Sequence, residues 1–252
     1  MSTIGLPVAR RKDFKRLGSR AVSEGEAVPV DGGEYRVLRS ETGSELWAGV
    51  DRRGKLRALT PHFGGGARSY ARMMQRIARA DDTMFDGALD GWAVDGLPAA
   101  AGDESRDIAP LRFDVPDARA HASLRLPAVA EVQIAAFAYD SSWTQDVAAF
   151  EAAQATEELP LADQAFAYLD VFDEDPERPA DAILTGRVVQ TEVRVNELTG
   201  VEFRWASVVT LIGEIDVVAD PAVVAGEPTA GGVVEGTFWL SGRIRNIHSQ
   251  SS

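Results

Sequence analysis

The most regular alternation of apolar and polar positions lies in the last third of the chain. Over residues 183–195, Val189, Thr191, Val193 and Val195 take one side, and Val188, Gln190, Glu192 and Arg194 take the other. A period of two marks a strand with one buried face. Asn196-Glu197-Leu198-Thr199-Gly200 forms a turn, and residues 201–211 and 214–219 continue as strands rich in Val, Ile and aromatics. A loop begins at Asp220-Pro221, and residues 231–244 form a last strand. Alternate positions Val189, Val193, Ile215, Val217, Phe238 and Leu240 are therefore expected in the core. Near the other end, residues 34–38, 45–50 and 55–60 are short strands separated by polar, Gly-containing turns, the signature of a meander. Pro61-His62-Phe63-Gly64-Gly65-Gly66 breaks that pattern.

Helical periodicity appears in between. Tyr70, Met73, Met74 and Ile77 fall at i, i+3, i+4 and i+7, with Arg68, Arg72, Arg76 and Arg79 as a second stripe. This spacing predicts a helix over 67–80; as a strand, the same residues sort their apolar members poorly. Residues 81–129 are rich in Asp-Gly steps and prolines, with short strands expected at 108–114 and, beyond them, at 131–138. Ser142, with Gln145 completing a capping box, predicts a helix to about residue 158 that buries Trp143, Val147 and Phe150. A second short helix is expected over 161–172, burying Ala165, Phe166, Leu169 and Phe172.

These elements make a β-rich α+β protein. Residues 1–33 read as a mobile basic tail, 34–172 as a mixed α+β region with two or three helices, 173–181 as an acidic linker, and 182–248 as an antiparallel β unit. Gly186 early in its first strand, and Gly236 and Gly242 in its last, suit bulges or corners. In this the unit resembles an OB-like small barrel, with four strands in view where five are needed.

Composition narrows the class. With 45% hydrophobic and 26% charged residues among 252, the chain is neither a disordered polymer, a collagen nor a coiled coil. No apolar run approaches the roughly 20 residues of a membrane-spanning helix. Cysteine is absent, which excludes disulfides, thiolate metal sites and a cysteine nucleophile. The net charge of −13 is unevenly spread: residues 1–80 carry 16 Lys and Arg against 8 Asp and Glu, whereas 81–181 carry 5 against 23. The expectation is mutual neutralisation, within one chain or across a homo-oligomer, with the Arg68–Arg72–Arg76–Arg79 stripe facing carboxylates. The acidic total speaks against binding to nucleic acid or an anionic membrane. The basic start lacks the apolar core of a secretory signal, so a cytoplasmic location is expected.

Candidate chemistry is sparse. His62, His121 and His248 share no metal-ligand spacing, and no G-x-S-x-G elbow flags a nucleophile, although Ser241 precedes a glycine. Of the three, His62, between Pro61 and Phe63 at a glycine turn, is the one singled out as a candidate, with a structural role the stronger reading. Gly64-Gly65-Gly66 before a helix suggests a phosphate cradle, but the Walker and dinucleotide fingerprints are missing, and a flexible turn is the stronger reading. Asp86, Asp90 and Asp95 lack calcium-loop spacing. Neither a metal nor an organic cofactor is expected. Most of the five tryptophans are expected in cores, and core placement is the stronger reading for Trp205 as well; if one face of its sheet is a binding face, Trp205 beside Arg204 would offer stacking and anion contacts. The favoured function is a non-catalytic binding or protein-interaction protein acting through β-sheet surfaces, with Arg204, Trp205, His62, Arg68 and Arg72 as binding residues and a protein or small molecule as partner. The rival is a hydrolase using paired carboxylates in a cleft between the two regions.

Overall fold

The computed structural model describes residues 1–8, 10–98, 105–169, 175 and 177–248, and strands dominate it. A four-stranded antiparallel meander comes first: β1 (Glu26–Val30), β2 (Gly33–Arg39), β3 (Ser44–Asp51) and β4 (Leu56–Phe63). Its turns are the polar ones expected, with the Gly43 N–H donating to Ser40 O and the Gly54 N–H to Asp51 O. β4 runs through Pro61 instead of ending before it. It is an edge strand, where a missing N–H costs no ladder bond.

Residues 1–33 are not a loose tail. They hold helix α1 (Arg11–Glu24) and β1. Ile4 and Leu6 are buried, and so are Leu17 and Ala21 on one side of α1. The backbone is tied down as well: Ile4 O accepts from Ser44 Oγ at 2.8 Å and from Asn196 Nδ2 at 2.9 Å. The few apolar residues of this segment, too sparse to suggest a packed helix, suffice because they share one face.

The second sheet comprises β5 (Ser69–Ile77), β6 (Ala88–Val94), β7 (Asp107–Asp114), β8 (Ala128–Thr144), β9 (Ala165–Tyr168), β10 (Asp181–Asn196), β11 (Val201–Thr210), β12 (Gly213–Ala219), β13 (Val224–Ala225) and β14 (Val233–His248). β8 and β14 are its spine, antiparallel along almost their whole length from Val129↔His248 to Thr144↔Val233. One half of this pair is joined into a ring of ladders by β10, β11 and β12, which returns to β8 in parallel at Asp216↔Ala135 to Val218↔Phe137. The other half is joined by β5, β6 and β7, which meets β14 at one parallel bridge, Asp114↔Ser241. Residues 182–248 therefore do not close on themselves: their missing strand is β8, from the other side of the acidic stretch. Nor is that stretch a spacer where it is described. Ala180 is buried, and its carbonyl accepts from the Leu240 N–H at 2.8 Å.

Three expected helices change. Residues 67–80 contain β5 (Ser69–Ile77) and no helix: Ala71 and Met73 point into the core while Tyr70 and Arg72, with Arg68 just before the strand, face out. Past a bulge at Met73/Gln75, Met74 is exposed and Ile77, opposite Ala88, is buried. This bulge is what disguised the strand, because it breaks the period of two and leaves a spacing that looks helical. Residues up to Thr144 belong to β8, and the helix that follows, α2 (Val147–Gln154), is capped by Asp146, not Ser142; Asp146 Oδ1 accepts from the Ala149 N–H at 2.7 Å. The third, over 161–172, is replaced by β9, which buries Phe166 and Tyr168 against β10; Phe172 lies outside the described residues. In the N-terminal half, β6 holds Asp90-Gly91 inside a strand where a turn was expected.

Alternation along the spine sets up two cores. Ile134, Ala136, Ala138, Leu240 and Ile244 join the main cluster with Ile215, Val217 and Phe238. Ala135 and Phe137, from the opposite side of β8, meet the meander and α1 through Leu17, Leu46, Phe63, Phe203 and Trp205. Ile215, Val217, Phe238 and Leu240 are buried as expected, but Val189 and Val193 are 56% and 52% exposed. Beyond Val188, β10 and β11 form an arm whose inner side carries Glu192 and Arg194 over Phe203 and Trp205. The polar side of that strand is the one turned toward the protein.

Candidate functional site

His62, at the end of β4, is wholly buried where the meander meets the spine. Its Nδ1 lies 2.9 Å from Ser241 Oγ on β14, and its Nε2 lies 2.9 Å from Gln133 Oε1 on β8. The Gln133 amide donates to Asp216 Oδ2 at 2.9 Å and to Phe63 O at 3.1 Å. Asp216 in turn accepts from Trp205 Nε1 at 2.9 Å and from the Ala67 N–H at 3.2 Å. With Nε2 of Gln133 committed as donor, Oε1 must accept, so His62 carries its proton on Nε2 and accepts from the Ser241 hydroxyl at Nδ1. A serine and a histidine are thus in hydrogen-bond contact, but both are fully enclosed. Burial pushes the His62 pKa down to about 4. Burial also raises that of Asp216, against the hydrogen bonds from Trp205, Gln133 and Ala67. The arrangement is a satisfied polar seam between two sheets, of the kind that fixes how layers dock.

The glycine run before β5 serves the same seam. A Cβ on Gly65 would lie 2.0 Å from Asp216 Oδ2, so the backbone passes where no side chain fits. A strand follows these glycines, and the helix N-terminus of a phosphate cradle is missing.

Trp205 is 7% exposed, is stacked near Phe63, and has the Arg194 guanidinium 3.8 Å from a ring centroid. Its aromatic face is filled by the chain's own cation. Arg204, next along β11, turns to the opposite side beside Val193. The structure therefore separates this pair, and Trp205 belongs to the core.

Arg68 and Arg72 stand on the outer face of β5 with Tyr70 between them. The Arg68 side chain is 72% exposed, with Glu131 Oε1 at 3.9 Å. Arg72 is held by Asp107 at 3.4 Å and by the Ser105 carbonyl. Directly across the ladder from Arg72 is Trp92 on β6, 39% exposed. Trp47, Trp143 and Trp205 are buried, and Trp239 is partly covered. Sequence reasoning placed most tryptophans in cores and missed Trp92; its signal was the alternation of Asp90 and Trp92 with Leu89, Gly91 and Ala93. The rest of the arginine stripe is spoken for: Arg79 Nη1 is 2.6 Å from Asp114 Oδ1, and Arg76 donates to the His121 and Leu124 carbonyls.

A cavity of about 210 Å³ lies beyond the Arg76 end of β5, walled by Ile77, Met84, Leu89, Val115 and Leu124, with Arg119 and His121 also lining it. It is smaller than the roughly 300–1,000 Å³ of drug-sized sites, and its one carboxylate, Asp86, is occupied by Thr83. An open groove of about 670 Å³ on β8 and β14 brings Asp140 and Glu235 to one surface. The most enclosed carboxylate pair elsewhere, Glu45 and Asp117, shares Arg243 at 3.8 and 3.5 Å. The Asp117 carboxyl stays below its usual range: burial opposes this, but His121 and Arg243 outweigh it. Among the described residues, no group of three or more His, Asp or Glu is placed to hold a metal, and no helix is long and apolar enough to cross a membrane. No protein-family model, curated protein or solved structure matches the chain.

Proposed function

We propose that the protein is a non-catalytic binding protein whose contact surface is the outer face of β5 and β6. The observation that carries this reading is Trp92, a large indole left open to solvent at mid-strand and paired across the ladder with Arg72. Scattered exposed apolar residues are ordinary; an exposed Trp beside Tyr70 and two guanidinium groups on a rigid sheet is the composition of a contact centre. Arg68, with only a distant carboxylate, has charge to spare for a partner's carboxylate. The partner class is a protein or small molecule that presents an apolar or aromatic group next to an anion. In this reading His62 and Trp205 serve the scaffold. The OB-like description of the C-terminal strands rests on the ring β8–β14–β10–β11–β12, with β8 as the fifth strand.

A photoreactive phenylalanine at Tyr70 tests the proposal. In extracts it should give a discrete adduct that disappears when Trp92→Ala and Arg68→Ala are combined with it. An adduct unaffected by both substitutions, or none, would remove this face from consideration.

The hydrolase reading keeps one observation in its favour, the Asp140–Glu235 groove. Burial, followed by the charge of Glu157, raises the Glu235 carboxyl, as a general acid requires. It predicts hydrolysis of glycosides or esters that Glu235→Gln abolishes; retention of such activity in that variant would sink it.

A further inference from the structure

The free edge of the β10 arm has a pattern that fits a second copy of this chain. Between Asp181 and Arg187, β10 is paired with β14. At Val188 that partner gives way to the loop at Gly231 and Gly232, whose backbone exchanges two hydrogen bonds with Val188. From residue 190 to 195, β10 has a ladder with β11 alone, and among the described residues no other backbone hydrogen-bonds along its opposite edge. Val189, Val193 and Val195 are 56%, 52% and 45% exposed there. Proteins ordinarily blunt such an edge with bulges and charges. This one has a bulge at Val188/Gln190 and two charges of opposite sign, Glu192 and Arg194, already in contact at 2.9 Å.

That charge order selects one register. An antiparallel pairing of two identical strands about a twofold axis keeps each side chain on its own face, so the axis must pass beside a residue. An axis at Glu192 sets glutamates directly opposite each other, and one at Arg194 sets arginines opposite; both are unfavourable. At Val193, Glu192 of each copy faces Arg194 of the other, Val193 faces Val193, and Thr191 faces Val195. An axis at Thr191 or Val195 makes no such cross-pair. We infer that the protein self-associates through β10, edge to edge and antiparallel, with its twofold axis at Val193. The charges that discourage a foreign strand match in this one arrangement, so the same residues supply both protection and specificity. The contact is one strand per copy, small for an interface, so association should depend on protein concentration.

The absence of cysteine makes the register directly testable. Any disulfide in a single-cysteine variant is between chains. Residues directly opposite have Cβ atoms about 4.5–5.5 Å apart, close to disulfide reach, whereas two Val195 would lie four residues out of register, on the order of 13 Å. Under mild oxidation Val193→Cys should give a covalent dimer, and Val195→Cys alone should not. Thr191→Cys mixed with Val195→Cys should give a heterodimer. Sedimentation of the unmodified chain should show the mass rising from one chain toward two with concentration, and Val193→Lys should hold it at one. Val193 and Val195 are exposed, so their variants should melt like the parent. The inference is overturned by a monomer at every concentration, or by Val195→Cys cross-linking with itself as readily as Val193→Cys does.

Discussion

Lowering the pH from neutral to about 4 probes the seam between the meander and the spine without changing an atom of the sequence. His62 is enclosed with both ring nitrogens engaged, and its folded pKa is depressed to about 4, chiefly because burial penalises the imidazolium. An unfolded histidine binds its proton near pH 6.5. Between these values the unfolded chain holds more protons than the folded one, so stability falls as pH falls. Each tenfold difference in proton affinity is worth about 1.4 kcal/mol, so the interval represents on the order of 3 kcal/mol, a large part of the roughly 5–15 kcal/mol that holds a domain folded. Asp114 and Asp216 work in the opposite direction. Burial raises both, so the folded state takes up their protons first and gains stability on acidification. The informative quantity is therefore the difference between the parent and His62→Gln in urea melts across this range. The variant will be less stable at neutral pH, because Gln133 and Ser241 lose a partner, but it has no imidazole to titrate. The gap between the two should narrow by about 3 kcal/mol on going to pH 4. Two parallel profiles would show that His62 titrates near its ordinary value and is not enclosed.

Three other perturbations test separate parts of the structure. Phe238→Ala removes a fully buried ring from the main core and should cost about 3–5 kcal/mol in denaturant melts; a loss under about 1 kcal/mol would mean the ring faces elsewhere. Gly65→Ala drives a methyl group into the Asp216 carboxylate and should cost about 1–3 kcal/mol, read from the shift in urea midpoint. Trp92→Ala should change stability by less than about 1 kcal/mol, as for a surface site, and a larger loss would make this residue core.

How much of this the sequence revealed depends on local chemistry. Three strands of the meander and the four C-terminal strands were legible because Gly and Asp punctuate them and Val-rich runs keep a period of two; β1 was not, lying in the stretch read as a tail. β5 was not, since one bulge at Met73/Gln75 converts its pattern into helical spacing. β9 and α1 were missed for opposite reasons: a short strand has too few residues to show a period, and the apolar face of α1 is only a few side chains wide. The exposure of Val189 and Val193 was hidden because partners decide which face is buried. Arg194 covers Trp205, so the polar side of β10 turns inward. Arg68 and Arg72 were identified as a pair and do share a face; Trp92, opposite them, is joined to them only by a pairing distant in sequence. His62 was picked out as a candidate, yet its partners Gln133 and Ser241 come from strands 71 and 179 residues away.

The functional reading stands on the exposure of one indole, and acrylamide quenching of tryptophan fluorescence measures that exposure. The parent protein should show a readily quenched, red-shifted component above a protected majority, because Trp92 is open while Trp47, Trp143 and Trp205 are buried. Trp92→Phe should abolish that component and leave the protected emission unchanged. If the quenched component survives the substitution, the accessible tryptophan is another residue, and the outer face of β5 and β6 loses its claim to be the contact surface.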